Sequence, residues 1–109
     1  MLWLLSHDVD DQKIHWVRPR DSWILNRANI QPGELALKSQ DSFVRQMTII
    51  SESATAEEMF QRLNADDILW RLDDTVAPTM YRCATVTPAE FEALKRVTHV
   101  VRMGHVHRI

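Results

Sequence analysis

The sequence of 109 residues predicts an α/β fold, and three observations support this. Lys13–Val17 alternates polar and apolar residues, which is the period of a strand with one buried face. Two Thr-x-x-Glu capping boxes, beginning at Thr55 and Thr87, mark the starts of two helices. The order strand, helices, strand, helix, strand then predicts that Lys13–Arg18 and Val100–Met103 are strands of one mainly parallel sheet.

The composition is that of a soluble globular domain. The chain is 45% hydrophobic and 26% charged, with a net charge of -2, so no overall field recruits nucleic acid or a membrane surface. The single cysteine, Cys83, excludes an intramolecular disulfide and suits a reducing compartment, so we expect a cytoplasmic protein. The two glycines, Gly33 and Gly104, are too far apart for a glycine-rich phosphate loop.

The first third of the chain predicts a helix end, a turn and a strand. Met1–Leu5 is an apolar run with no capping residue before it, which is typical of the end of a helix whose start is absent. Ser6–Gln12 is a polar turn. The strand Lys13–Arg18 should end before Pro19, because proline donates no hydrogen bond to a sheet. Pro32–Gly33 then predicts a turn.

The middle of the chain predicts two helices after a connector at Glu34–Gln40. Ser42–Ser51 carries an apolar stripe at helical spacing, and Asp41 or Ser42 is available as the N-cap. Thr55 opens the second helix. We expect both stripes to belong to the core, and residues 39–66 to form a separate helical subdomain. The predicted core residues are Phe43, Met47 and Ile50 on the first helix and Met59, Phe60 and Leu63 on the second.

The second helix can end at Asn64–Asp67. The next segment, Ile68–Leu72, is either a short strand or a last helical turn, and the pattern does not distinguish these two structures. Asp73–Thr79 is a predicted loop and Met80–Thr87 a predicted strand. Thr87 then opens a helix from Pro88 to about Arg96, with Pro88 at its first position. Its predicted buried residues are Phe91, Leu94 and Val97.

The C-terminal segment predicts two short strands. They are His99–Met103 and His105–Ile109, separated by a bulge or turn at Gly104. His105 and His107 would share one strand face and could both reach a metal, but no third ligand is marked, so we predict no metal site. A chain that begins within a helix and ends within a strand is typical of a piece of a larger protein.

Arg18 and Arg20 are the candidate binding residues. They lie at the carboxyl end of the predicted strand, where open α/β sheets bind their ligands. The planar guanidinium group can make paired, charge-assisted hydrogen bonds to phosphate or carboxylate. The alternative is that both arginines are solvated or paired with Asp21, since surface ion pairs are common.

Three segments carry a resemblance to a known family: Leu2–Leu5 (LWLL), Trp16–Asp21 (WVRPRD) and Ser22–Gly33 (SWILNRANIQPG). Together they resemble bacterial FAD/NAD(P)-binding oxidoreductases related to the flavin-containing monooxygenases. The similarity continues through Ala77–Leu94 and Val100–Ile109. It covers most of the chain and leaves residues 34–74 as a helical insertion.

The resemblance implies a single partial segment of an oxidoreductase, residues 1–109, with the fold of a Rossmann-like NAD(P)-binding fragment. Arg20 matches the family's Pro-Arg-Asp motif and Arg18 is its neighbour, so both would lie near the 2′-phosphate of NADP. The full-length family uses FAD and NADP. Because both glycine fingerprints are absent here, we expect the chain alone to bind neither cofactor and to have no catalytic residues. Its expected partners are the nicotinamide dinucleotide of the full-length parent and a second copy paired through a free strand edge.

A second hypothesis belongs to another functional class. The chain could be a free-standing α/β interaction module without catalysis, whose edge strand near His105–Ile109 pairs with a partner.

Overall fold

The computed structural model describes residues 1–31 and 33–108, and these form a mixed α/β arrangement, which confirms the predicted class. The described residues contain four α-helices, five short strands and three 3₁₀ turns. The helices and strands are α1 (Leu2–Ser6), β1 (Trp16–Val17), β2 (Ser22–Asn26), α2 (Ala36–Glu52), α3 (Ala56–Ala65), β3 (Leu69–Trp70), β4 (Met80–Val86), α4 (Pro88–Lys95) and β5 (Val100–Val101), and the 3₁₀ turns are Asp11–Lys13, Arg27–Asn29 and Gly33–Leu35.

The described strands form two sheets where the sequence predicted one, and two of the three strand pairings are parallel. β1 and β5 make a parallel pair in which Trp16 lies opposite Val100. The second sheet has the order β3-β2-β4, with β3 antiparallel and β4 parallel to β2. The two strands predicted to share a parallel sheet, Lys13–Arg18 and Val100–Met103, do share one, but each is only two residues long. β1 begins late because Lys13 belongs to a 3₁₀ turn in which the Asp10 carboxylate accepts the Gln12 N–H at 3.0 Å.

The short β3 strand settles the ambiguity at Ile68–Leu72 in favour of a strand. Two asparagines hold the chain just before β3. The side-chain amides of Asn26, at the end of β2, and Asn29, in the following 3₁₀ turn, donate to the Asp67 carbonyl at 3.2 Å and 2.9 Å. The Asn26 side-chain oxygen also accepts the Ala28 N–H at 3.1 Å. These bonds satisfy buried polar groups, so both asparagines have a structural role.

α2 and α3 share a core with the three-stranded sheet, so the prediction that they lie apart as a subdomain is wrong. Their helical character is confirmed. Burial of apolar surface drives these helices onto the sheet, because neither helix has another described apolar surface to cover its inner face. The shared core contains Trp23, Leu25, Ile49, Leu63, Ile68 and Leu69, with Met59 and Phe60 packed against it.

The orientation of α2 is opposite to the prediction. Ser42 and Ile49 face inward, whereas the predicted core residues Phe43, Met47 and Ile50 are exposed on the outer side. α2 also begins at Ala36, within the predicted connector, so Asp41 and Ser42 lie inside the helix and do not cap it. Ser42 is fully buried, and its small side chain permits close approach of the helix to the chain beneath it.

The two capping boxes differ. At α4, the Thr87 hydroxyl accepts the Glu90 N–H at 3.2 Å and the Glu90 carboxylate accepts the Thr87 N–H at 2.8 Å, as predicted. At α3, the Thr55 hydroxyl accepts the Glu58 N–H at 3.1 Å, but the Glu58 carboxylate bonds to the N–H of Ala54. The sequence therefore located both helix starts. In the box at Thr55, the glutamate bonds to the N–H one residue before the N-cap.

A smaller core lies beside the β1–β5 pair. Leu5 from α1, Ile14 before β1 and Val97 after α4 are buried together. α1 packs against α4, which confirms the helical character of the N-terminal apolar run.

The C-terminal strand prediction is wrong for the described residues. Residues 105–108 are exposed and have no strand partner within the described chain, and Ile109 lies outside the described residues. Gly104 has φ +97°, which confirms the turn there. Of the predicted Pro32–Gly33 turn, Pro32 lies outside the described residues, and Gly33 has φ +85° and begins a 3₁₀ turn.

The orientation of α2 yields a stability prediction. Ile49→Ala should lower the free energy of unfolding by about 2–4 kcal/mol, because it leaves a cavity in the shared core. Phe43→Ala is the matched control in the same helix and should change it by less than about 0.5 kcal/mol, since Phe43 is exposed. Urea unfolding followed by circular dichroism measures both. A larger loss for Phe43→Ala than for Ile49→Ala would show that α2 packs with its other face inward.

Candidate functional site

Four charged side chains form a cluster at the carboxyl ends of β1 and β5: Arg18, Asp21, Asp73 and Arg102. Arg18 follows β1 and Arg102 follows β5, and because the strands are parallel, both arginines emerge at the same edge. The Arg18 N–H donates to the Val101 carbonyl at 2.9 Å, which fixes this register. The edge is the one at which open α/β sheets bind ligands.

The Asp21 carboxylate joins the two arginines. Its Oδ1 lies 2.8 Å from Arg18 Nη2, and its Oδ2 accepts a hydrogen bond from Arg102 Nε at 2.8 Å. Only 6% of the Asp21 side chain is exposed. A buried carboxylate needs such partners, because removing the charge from water is costly.

Asp73 extends the cluster towards the loop after β3. Its Oδ2 accepts from Arg102 Nη2 at 2.8 Å, and its Oδ1 accepts from the Thr75 N–H at 3.0 Å and hydroxyl at 2.6 Å. The Thr75 hydrogen bonds, and then Arg102, lower the pKa of Asp73 from its ordinary value, because they favour the ionised form. Hydrogen bonding to Asp21 raises the pKa of Arg102.

Arg18 is the buried arginine of the candidate pair. Burial lowers the pKa of its guanidinium, and the nearby Asp21 charge opposes that shift. The guanidinium also stacks on Trp16, 4.7 Å from the ring centroid. Its Nε is buried and has no hydrogen-bond partner among the described residues. The pairing with Asp21 considered from the sequence is therefore realised for Arg18.

Arg20 is in a different environment. It is exposed, two residues beyond Arg18, and makes no ion pair or side-chain hydrogen bond with any residue that the structure describes. Its guanidinium is therefore available to a ligand in solvent. The two candidate arginines thus lie near each other but have different roles.

A cleft of about 280 Å³ opens beside the cluster. Arg18, Asp73, Lys95 and Arg102 are among its lining residues, and Arg20 is not. Arg18 and Arg102 are already paired with carboxylates, and Lys95 lies 4.0 Å from Glu92. Each of the described cations that line the cleft thus has a carboxylate within 4.0 Å, whereas Arg20 lies outside the cleft and has no such partner among the described residues.

The sequence interpretation missed Arg102 and Asp73. A signal for Arg102 existed, because β1 and β5 each end in a valine followed by an arginine, Val17-Arg18 and Val101-Arg102. No local pattern marks Asp73 as its partner, since the two residues are 29 positions apart.

The histidines do not form a metal centre within residues 1–31 and 33–108. His105 and His107 are exposed, and these ranges contain no group of three or more side chains that could hold a metal ion. None of the helices in the same ranges is long and apolar enough to cross a membrane.

The chain is similar to longer mycobacterial proteins. It is 43% identical over 109 residues to the uncharacterized protein Rv2000 of Mycobacterium tuberculosis and to the uncharacterized protein Mb2023 of Mycobacterium bovis. The match covers 99% of this chain and 20% of each relative, so the chain spans about a fifth of the length of these curated relatives. No family model matches the chain, and no solved structure matches it.

The burial of Asp21 leads to a mutational prediction. Asp21→Ala should lower the free energy of unfolding by about 3–5 kcal/mol, because it leaves the buried Arg18 charge uncompensated. Asp74→Ala is the control: Asp74 is exposed and pairs only with Arg71, so its loss should cost less than about 1 kcal/mol. Chemical denaturation at pH 7 compares the variants, and equal losses would contradict the assigned role of Asp21.

The lowered pKa of Asp73 predicts a loss of stability in acid. A carboxyl group whose folded-state pKa is depressed contributes stability above its unfolded pKa of about 3.9 and loses it as the pH falls through the folded value. Glu90, whose pKa is lowered by hydrogen bonds from Thr87, acts in the same direction. The free energy of unfolding, measured by urea titration between pH 6 and pH 2, should fall less steeply in Asp73→Asn than in the wild type, and an unchanged slope would refute the contribution of Asp73.

Proposed function

We propose that this chain forms the adenosine-phosphate side of an NADP site, within an oxidoreductase of the FAD/NAD(P)-binding type related to the flavin-containing monooxygenases. The observation that carries the proposal is Arg20, an exposed arginine without an ion pair to the described residues, just beyond the carboxyl end of β1. The resemblance through Trp16–Asp21 supports the same position, because it aligns Arg20 with the arginine expected to meet the 2′-phosphate.

The environment of the two arginines supports separate roles in this site. Arg18 is held by Asp21 and Trp16, so it positions the strand end without contacting the ligand. Arg20 keeps its hydrogen-bond donors free for a phosphate group. One charge-assisted contact contributes about 1.5–3 kcal/mol, which distinguishes NADP from NAD because only NADP carries the 2′-phosphate.

The residues present fit only part of the cofactor. The exposed guanidinium of Arg20 suits a phosphate ester, but a pyrophosphate group needs glycine backbone amides at a helix N-terminus. Gly33 and Gly104 are isolated in turns. Apart from their chain neighbours, no described atom lies within 4 Å of the position that a Cβ would occupy at either glycine. The chain therefore supplies a recognition contact and positions no reacting group, and it binds neither FAD nor whole NADPH with micromolar affinity by itself.

The interaction module stays a second candidate, supported by a different observation. The predicted edge strand at His105–Ile109 is not a strand over residues 105–108. We therefore no longer propose that segment as the surface that pairs with a partner. The exposed apolar side of α2 is a better interaction surface, because large apolar patches on a soluble protein mark binding sites.

A titration with fragments of the cofactor tests the NADP proposal on this chain. We expect 2′,5′-ADP to bind weakly, with a dissociation constant on the order of millimolar, and 5′-ADP to bind at least about tenfold more weakly, since it lacks the 2′-phosphate. Heteronuclear NMR of the labelled chain measures both affinities and locates the shifted amides. The shifts should centre on residues 18–21.

Arg20→Ala should abolish the preference for 2′,5′-ADP. Arg82→Ala is the matched control, because Arg82 is also exposed and makes no ion pair with the described residues, but lies on β4. Equal affinities for the two nucleotides in the wild type, or a preference that survives Arg20→Ala, would refute the proposed site.

A further inference from the structure

The outer side of α2 carries five large apolar side chains. The exposed fractions are 82% for Leu37, 60% for Phe43, 62% for Val44, 43% for Met47 and 46% for Ile50. At about 100° per residue, all five lie within an arc of about 140° on the side opposite to the buried Ser42 and Ile49. They form one continuous stripe, which we call the outer stripe of α2.

The outer stripe is free of charged residues. The other residues of α2 within the same arc are Ala36, Gln40 and Ser51, which are uncharged. The five apolar side chains together present on the order of 600 Å² to solvent, which is the upper end of the largest apolar patch of a typical monomer. Ile50 also lines an apolar groove that continues to Met59 and Phe60 of α3 and Tyr81 of β4.

The order of residues in the stripe is self-complementary. In an antiparallel pair of α2 helices with a two-fold axis between Phe43 and Val44, Gln40 lies opposite Met47 of the second copy, since both are near the centre line of the stripe. Phe43 and Val44 each lie beside the same residue of the second copy, next to the axis, and Leu37 and Ile50 lie at the two edges of the contact. Each large side chain thus meets an apolar or uncharged one, as a two-fold interface requires.

We propose that α2 is the dimerisation surface of this chain and that its occupant is a second copy, packed antiparallel through the outer stripe. Complete burial of both stripes would remove on the order of 1,200 Å² from solvent in total, which is the lower limit for a specific protein interface. This surface differs from the free strand edge that the sequence predicted for self-association. The inference is independent of the proposed NADP site, because α2 contains neither Arg20 nor any of the four cluster residues.

Analytical ultracentrifugation tests the proposal with two matched variants. We expect the wild type to dimerise at about 100 μM, as suits a small interface. Val44→Glu places two carboxylates next to the two-fold axis and should weaken dimerisation at least about tenfold. Met103→Glu introduces the same charge at an apolar position that is 93% exposed, near the C-terminus and outside α2. It should leave dimerisation unchanged. A monomeric wild type, or equal dimerisation of Val44→Glu and the wild type, would overturn the proposal.

Cysteine cross-linking tests the antiparallel register. In a Cys83→Ser background, a Gln40→Cys chain mixed with a Met47→Cys chain should form a disulfide, because these positions face each other near the centre line of the stripe. A Gln40→Cys chain alone should not, since its two cysteines would lie about 10 Å apart along the helix axis. Cross-linking of Gln40→Cys with itself and not with Met47→Cys would indicate a parallel pair and refute the proposed arrangement.

Discussion

The buried carboxylate of Asp21 is the interaction on which the arrangement of this chain depends. Its oxygens bind Arg18 after β1 and Arg102 after β5, while its own residue lies directly before β2. Its backbone carbonyl accepts the Thr79 N–H at 3.1 Å, just before β4. Since no strand pairing among the described residues joins the two sheets, this one residue connects both. The connection is specific because a buried charge is tolerated only when its partners are present.

The same constraint determines which arginine can bind a ligand. Asp21 and Trp16 occupy Arg18, so the burial that orders the strand end also removes that guanidinium from recognition. Arg20 lies beyond Pro19 and has no carboxylate to pair with in the described chain, which leaves its charge to solvent or to an anion. A motif with two arginines thus contains one structural and one exposed cation, and the proposed NADP contact depends on the exposed one.

The helices show a similar division between internal and external roles. Ser42 and Ile49 pack α2 onto the sheet, which leaves the larger apolar residues on the outside. A helix with apolar residues on both sides is typical of one that is covered on both sides. The cover proposed here is a second copy of the chain.

The sequence by itself determined the features that depend on neighbouring residues. Thr55 and Thr87 mark helix starts because capping needs only side chains three residues apart, and Pro19 ends β1 because it lacks an N–H. The α/β class and the parallel direction of β1 and β5 follow from such local signals and from the order of the elements.

The tertiary structure decided what depends on distant partners. Periodicity shows that α2 has an apolar side, but the sheet selects which side is buried, and it selected the one with Ser42 and Ile49. In the same way, only the folded chain brings Arg102 to Asp21, across 81 positions, and Asp73 to Arg102, across 29 positions. The positions of Arg18 and Arg20 were readable from the sequence, whereas the pairing that separates their roles required the folded chain, because an ion pair is decided by which charges meet in space.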